Sequence, residues 1–188
     1  MRSARSIAVF LGLTATGLLA EPPIPRLSPE FVINYPGGKQ ALLSNYKGKV
    51  VVLTFIFTTC PHCQAECQML SKLNSELGPK GFQPLAVAVN PMSLMLVPDF
   101  VRDYRTNFPV GASEQGPALS YLQVSMVERW VVPQIVLIDR KGMIRAQSAP
   151  LGTEKLQEEA YLRQQIETLL HEEAPVTKRT APVKKRPT

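Results

Sequence analysis

The stretch from Val50 to Cys67 constrains this chain more than any other. Val50 to Phe57 is apolar on both faces except for Thr54, which is the pattern of a strand in the middle of a sheet with helices above and below. Cys60-Pro61-His62-Cys63 follows, and from there Cys63, Glu66, Leu70, Leu73 and Leu77 recur at helical spacing along one stripe. The helix is expected to stop at Gly78-Pro79. A strand that delivers a Cys-x-x-Cys to the first turn of a helix marks a redox site. The free N–H groups and positive dipole end of that helix favour thiolate over thiol at Cys60. Cys60 is then the exposed, attacking sulfur and Cys63 the shielded, resolving one, with Glu66 on the inward face beside Cys63.

The remainder reads as further pieces of an α/β sheet protein. Phe31 to Ile33 and Ala41 to Leu43 flank a Pro36-Gly37-Gly38 turn and predict a small amino-terminal hairpin. Gln83 to Val89 is a second β-branched-rich run, and strand, helix, strand at this spacing implies a right-handed parallel crossover. Pro98 to Thr106 predicts a helix with proline in its first turn, and Pro117 to Gln123 a short one. Gln134 to Ile138 and Met143 to Gln147, joined by Asp139-Arg140-Lys141-Gly142, predict an antiparallel pair. Thr153 to about His171 predicts one amphipathic helix. Pro91 to Val97 and Trp130 are apolar loop residues, suited to core packing or to the lining of a partner groove.

The ends differ from the middle. Residues 1–20 carry Arg2 and Arg5, then an apolar run from Ile7 to Ala20 that is too short to span a bilayer comfortably. They match a signal peptide or amino-terminal anchor, and so an exported, periplasmic or otherwise extracytoplasmic protein. The domain proper is expected over 21–172. Residues 173–188, with three prolines and five bases, predict a disordered basic tail. Such a tail, or an uncleaved amino-terminal segment, offers at most weak association with a membrane surface. The net charge of +6 comes from these ends: without the seven basic residues at positions 2, 5, 178, 179, 184, 185 and 186, 14 basic face 15 acidic residues. Nucleic-acid binding by a basic face is therefore unsupported.

Three motifs stand in order: Tyr46-Lys47-Gly48-Lys49 leading into Val50 to Leu53, Cys60-x-x-Cys63-x-x-Glu66, and Val132-Pro133 followed by Ile135 to Gly142. Together, over about residues 25 to 172, they resemble the TlpA/ResA branch of the thioredoxin superfamily, exported thiol-disulfide oxidoreductases. The resemblance implies a thioredoxin-like fold, a central mixed sheet flanked by helices with an amino-terminal hairpin extension. It implies a redox-active Cys60–Cys63 disulfide with no further cofactor. The partners it implies are protein thiols or disulfides and a redox partner protein. Pro133 matches the family's cis-proline and Glu66 its acidic residue, which would be partly desolvated and able to take or return the Cys63 proton.

Departures from the pattern bear on the direction of electron flow. Thr59 stands where the family usually has Trp, Gln68 where it commonly has Pro, and Thr54 where thioredoxins proper have a buried Asp. Pro61-His62 is similar to the dipeptide of DsbA-type oxidants, and His62 near Cys60 would stabilise the thiolate and make the disulfide more oxidising. Cys67, one turn beyond Cys63, is either a small buried residue or, as Cys63-x-x-x-Cys67, a Cu(I) site like that of SCO-type metallochaperones. A redox-inactive thioredoxin-like interaction module is a third possibility. Structural zinc needs four Cys or His ligands, and only Cys67 and two histidines accompany the pair. A peroxiredoxin reading has a foothold in Thr58-Thr59-Cys60, but Ile56 and Phe57 occupy the places where that family requires Pro and Thr.

Overall fold

The computed structural model of the chain describes residues 22–172. The expected amino-terminal signal or anchor and the basic tail from 173 lie outside the described residues. Among the described residues no helix is long and apolar enough to cross a membrane.

The strand β4 (Val50–Ile56) is buried at every position, as its two apolar faces require. It pairs in parallel with β5 (Phe82–Ala88) on one side and antiparallel with β7 (Gln134–Ile138) on the other. The helix α1 (Pro61–Leu77) makes the crossover between β4 and β5. The chain continues through α2 (Ser93–Tyr104), β6 (Val110–Ala112), α3 (Gln115–Leu122), β7, β8 (Met143–Gln147), α4 (Glu154–Gln157) and α5 (Glu159–His171). Ahead of β4 come β1 (Arg26–Leu27), β2 (Val32–Asn34) and β3 (Gln40–Leu42), and the eight strands form one sheet in the order β1-β8-β7-β4-β5-β6-β2-β3.

Alternation along β4 sorts the core into two layers. Val50, Val52 and Ile56 join Cys63, Cys67, Leu70, Leu73 and Leu77 of α1 and Leu162, Ile166 and Leu169 of α5. Val51, Leu53 and Phe55 face the other way, onto Leu119, Tyr121 and Leu122 of α3 and onto Phe31 and Ile33 of the amino-terminal segment. Phe31, Phe55 and Tyr121 stack there with ring centroids 5.3–5.8 Å apart.

The expected hairpin forms, with Ile33 opposite Ala41. It is also continuous with the main sheet, because Asn34 pairs with Ala112 of β6. Gly111 makes that junction possible: a Cβ there would lie 2.7 Å from the Asn34 carbonyl and against the Ile33 methyl. Two expectations need correction. The helix α2 starts at Ser93, so Pro98 falls inside it rather than in its first turn. Pro98 is exposed, on the solvent side of the helix, where a lost backbone hydrogen bond costs less than on the buried side. The carboxy-terminal helix is interrupted at Glu158, whose extended backbone separates α4 from α5.

Candidate functional site

The dithiol sits where β4 ends and α1 begins. Cys60 is the N-cap of α1, with extended backbone (φ −87°, ψ 119°), and Pro61 takes the first helical position, where no N–H is needed. Cys60 is half-buried, while Cys63 and Cys67 have no exposed surface. All three are free thiols. Burial pushes the Cys63 thiol well above the ordinary range; the neighbouring sulfurs of Cys60 and Cys67 add to this, and a hydrogen bond from the Phe57 backbone opposes it. The asymmetry expected of the pair, one accessible sulfur and one shielded, is therefore present.

The second wall of the site is the loop before β7. The Val132–Pro133 peptide is cis, in agreement with the family resemblance, and the Val132 carbonyl lies 3.9 Å from Cys60 Sγ. Gln134, the first residue of β7, is fully buried, and its carboxamide donates to the carbonyls of Val131 at 2.8 Å, Pro150 at 3.1 Å and Ala149 at 3.2 Å. That side chain fastens the proline loop to the chain leaving β8. Trp130 packs edge-on against Phe57 with centroids 6.0 Å apart.

A second carboxamide holds the turn that carries Cys60. Thr58 is buried just past the end of β4, where its backbone groups have left the sheet. Its N–H donates to Asn90 Oδ1 at 3.0 Å, Asn90 Nδ2 donates to its hydroxyl at 3.1 Å, and Gln64 Nε2 donates to its carbonyl at 3.0 Å. The turn closes with Cys60 N–H donating to the Phe57 carbonyl at 3.1 Å.

Glu66 is 4% exposed, and its Oε1 has no hydrogen-bond partner. Burial alone pushes its carboxyl up to about 8 from 4.5. The helical stripe correctly places it inward. Its charge acts on Cys67, whose thiol is raised first by burial and then by Glu66, so Cys63, Cys67 and Glu66 form one buried row on α1. Thr54 faces the same layer, with Val52 and Ile56, and its hydroxyl is also unpartnered. His62 is exposed on the outer face of α1, and His171 is exposed at the end of α5. Neither histidine reaches Cys63 and Cys67. Among the described residues no three His, Cys, Asp or Glu side chains assemble with metal-binding geometry.

Asn90, Gln64 and Gln134 were not legible as site residues. The only signal was positional: Asn90 and Gln134 are single polar residues at the ends of the apolar runs Leu85 to Val89 and Ile135 to Ile138.

A sheet with a Cys-x-x-Cys at the start of a crossover helix, facing a cis-proline loop, defines the thioredoxin-like class. Comparison with known proteins narrows this. The model of the AhpC/TSA family matches residues 25–147, and the chain belongs to that family. It is a TlpA/ResA-like member of the thioredoxin superfamily, similar to the thiol-disulfide oxidoreductase ResA of Bacillus subtilis strain 168 (31% identity over 117 residues, 62% of each chain). ResA of Bacillus thuringiensis subsp. konkukian is 29% identical over 121 residues, 64% of this chain and 66% of that protein. The match thus spans a little under two thirds of these relatives. Among solved structures, a Chlorobium tepidum protein assigned as the thiol:disulfide interchange protein DsbE superposes with a TM-score of 0.65 at 25% identity, covering 78% of this chain and 96% of that one. A second Chlorobium tepidum thiol:disulfide interchange protein shares the fold, with a TM-score of 0.64 at 20% identity over 79% of this chain and 99% of that one.

Proposed function

We propose that the protein is an exported thiol-disulfide oxidoreductase that exchanges disulfides with protein cysteines through Cys60 and Cys63. The observation that carries this reading is the pairing of a half-exposed Cys60 at a helix N-cap with a fully buried Cys63 one turn on, opposite the cis-Pro133 loop. The Cys60 thiolate attacks one sulfur of a partner disulfide. A mixed disulfide forms, and the partner's other sulfur leaves as a thiolate that takes up a proton. Cys63 then gives up its proton and attacks Cys60 Sγ, releasing the second partner thiolate. Two electrons have passed from the dithiol to the partner, the protons lost by Cys60 on ionising and by Cys63 on attack balance those taken up by the two partner thiolates, and the Cys60–Cys63 disulfide remains; the reverse sequence oxidises a partner dithiol.

Cys63 is hard to ionise where it lies, so the resolving step needs a base. Glu66 is the carboxylate on the buried face of α1, and with a pKa of about 8 it can hold or release a proton near neutral pH. His62 is exposed in the first turn of α1, two residues from Cys60, and in this reading it acts on a bound partner or on the Cys60 thiolate. Export is supported by the signal-like pattern of residues 1–20.

The test is a Cys63→Ser variant exposed to oxidised protein extract from the extracytoplasmic compartment. It should accumulate mixed disulfides that vanish on reduction and fail to form in the Cys60→Ser/Cys63→Ser double variant. Absence of any Cys60-dependent adduct sinks the exchange mechanism.

A further inference from the structure

We propose that Asn90 is a positioning residue for the dithiol: its carboxamide, acting through Thr58, fixes the turn from which Cys60 attacks. This rests on the exchange reading above. Asn90 belongs to the connection between β5 and α2, 32 positions from Thr58 and on a different strand's end, yet it makes a two-point contact with that one residue. It accepts from the Thr58 N–H at 3.0 Å and donates to the Thr58 hydroxyl at 3.1 Å. Asn90 is itself held in place, since its Nδ2 also meets the Pro91 carbonyl at 3.3 Å and its own carbonyl accepts the Ser93 N–H at 3.1 Å.

The need for such a clamp follows from the local chain. After Ile56 the β4 ladder ends, and Thr58 is buried. Its N–H and hydroxyl would be left without partners if Asn90 were absent, and unpaired buried donors force a chain to move. The only atoms between Thr58 and the nucleophile are those of Thr59. A rotation at Thr58 therefore swings Cys60 Sγ relative to both the Val132 carbonyl and Cys63, and thiol-disulfide exchange requires the three sulfurs nearly in line. Asn90 does not touch a reacting atom. Its effect is on the approach of Cys60, and so on the rate of mixed-disulfide formation and on the relative stability of the dithiol and disulfide forms.

Asn90 is also half-exposed. It lines an open cleft, with Pro91, Met92, Leu94, Ser113 and Gln115 among the other walls, so one face of the residue meets solvent while the other holds the active-site turn.

The experiment compares Asn90→Ala and Asn90→Ser, each in a Cys63→Ser background, for the second-order rate of Cys60 with 5,5′-dithiobis(2-nitrobenzoate) across pH 5 to 9. The same substitutions with both cysteines intact are equilibrated against glutathione redox buffers. Asn90→Ala should slow Cys60 by about tenfold, the equivalent of one misplaced hydrogen-bonded turn at ~1.4 kcal/mol. It should also move the dithiol–disulfide equilibrium severalfold. Thr58→Ala should reduce the penalty of Asn90→Ala, because part of the contact is already gone. Circular dichroism and melting report folding separately. If Asn90→Ala does not fold, Asn90→Ser, which keeps a short polar group but not the two-point contact with Thr58, carries the test with a smaller loss in the same direction. Folded variants whose rate, pH profile and glutathione equilibrium stay within twofold of the parent overturn the proposal. Failure of the parent itself to react at Cys60 or to cycle would instead refute the exchange reading.

Discussion

Replacing Glu66 by glutamine isolates the energetic consequence of a carboxyl buried without a partner. Glu66 is 4% exposed, its Oε1 is unpaired, and burial raises its pKa from 4.5 to about 8. Because the folded-state value is the higher one, the folded protein keeps a proton that the unfolded chain releases. Stability is fully present below pH 4.5 and declines as pH rises towards 8, after which the loss is complete. At ~1.4 kcal/mol per pH unit, the span corresponds to roughly 3–5 kcal/mol. Glutamine has nearly the same shape and no charge, so Glu66→Gln removes the decline. Urea unfolding of both proteins, kept reduced, at intervals from pH 5 to 8.5 gives the difference directly. The two should be similar at pH 5, and the variant more stable by roughly 3–5 kcal/mol at pH 8.5. Ionisation of cysteine in the unfolded chain begins towards the upper end of this range but is common to both and cancels. A difference that stays constant with pH would mean that the Glu66 carboxyl ionises normally. That result would also remove its claim to accept the Cys63 proton. The functional counterpart is the alkylation rate of Cys63, whose pH dependence should shift in the glutamine variant.

Other substitutions probe separate parts of the argument. Cys67→Ala should leave disulfide exchange intact while costing about 1 kcal/mol in the melt for the lost sulfur contact; loss of turnover with Cys60 and Cys63 unchanged would give Cys67 a part in the chemistry. Gly111→Ala places a methyl against Ile33 and the Asn34 carbonyl, and should lower stability by about 1–3 kcal/mol, with faster amide exchange in the β2–β3 hairpin than in β4; unaltered hairpin protection would contradict the packing described. Gln134→Leu strips the donor shared by the Val131, Ala149 and Pro150 carbonyls. It should cost about 2–3 kcal/mol, with proteolysis beginning in the loop before β7, and resistance there equal to the parent's would show that the loop is held by other contacts.

What was legible in the sequence, and what was not, divides by the range of the forces involved. The strand β4 and the helix α1 announce themselves because burial on both faces and a helical stripe are written in consecutive residues. The same stripe places Glu66 inward without any knowledge of the sheet. The strands β1 and β6, of two and three residues, carry no pattern of their own and exist because Met143 to Ile144 and Ala86 to Ala88 offer partners. The start of α2 was missed for a related reason: Pro98 reads locally as a beginning, while the exposed Met92 and Met95 give the preceding turn no inward stripe. Asn90 and Gln134 became site residues only when distant carbonyls and an N–H were brought to them, and a single polar residue at the end of an apolar run does not specify which backbone groups it will satisfy.

That division also explains why the site can be recognised from its violations. The layer between the sheet and α1 is otherwise apolar, and a leucine at 66 and a valine at 54 would fit the local pattern better than the residues present. Instead, Thr54 and Glu66 each leave a buried oxygen unpaired in that layer, a cost of order 1–3 kcal/mol per group. Both lie on the layer that holds Cys63, and Gln134, directly after the cis-Pro133 peptide, leaves a third buried oxygen unpaired beside the dithiol. Local rules fail most at places where chemistry is done. Glu66 is an ionisable group on the same buried face of α1 as two thiols that burial makes hard to ionise. Transfer of the Cys63 proton, as proposed for Glu66, is the step that would use it.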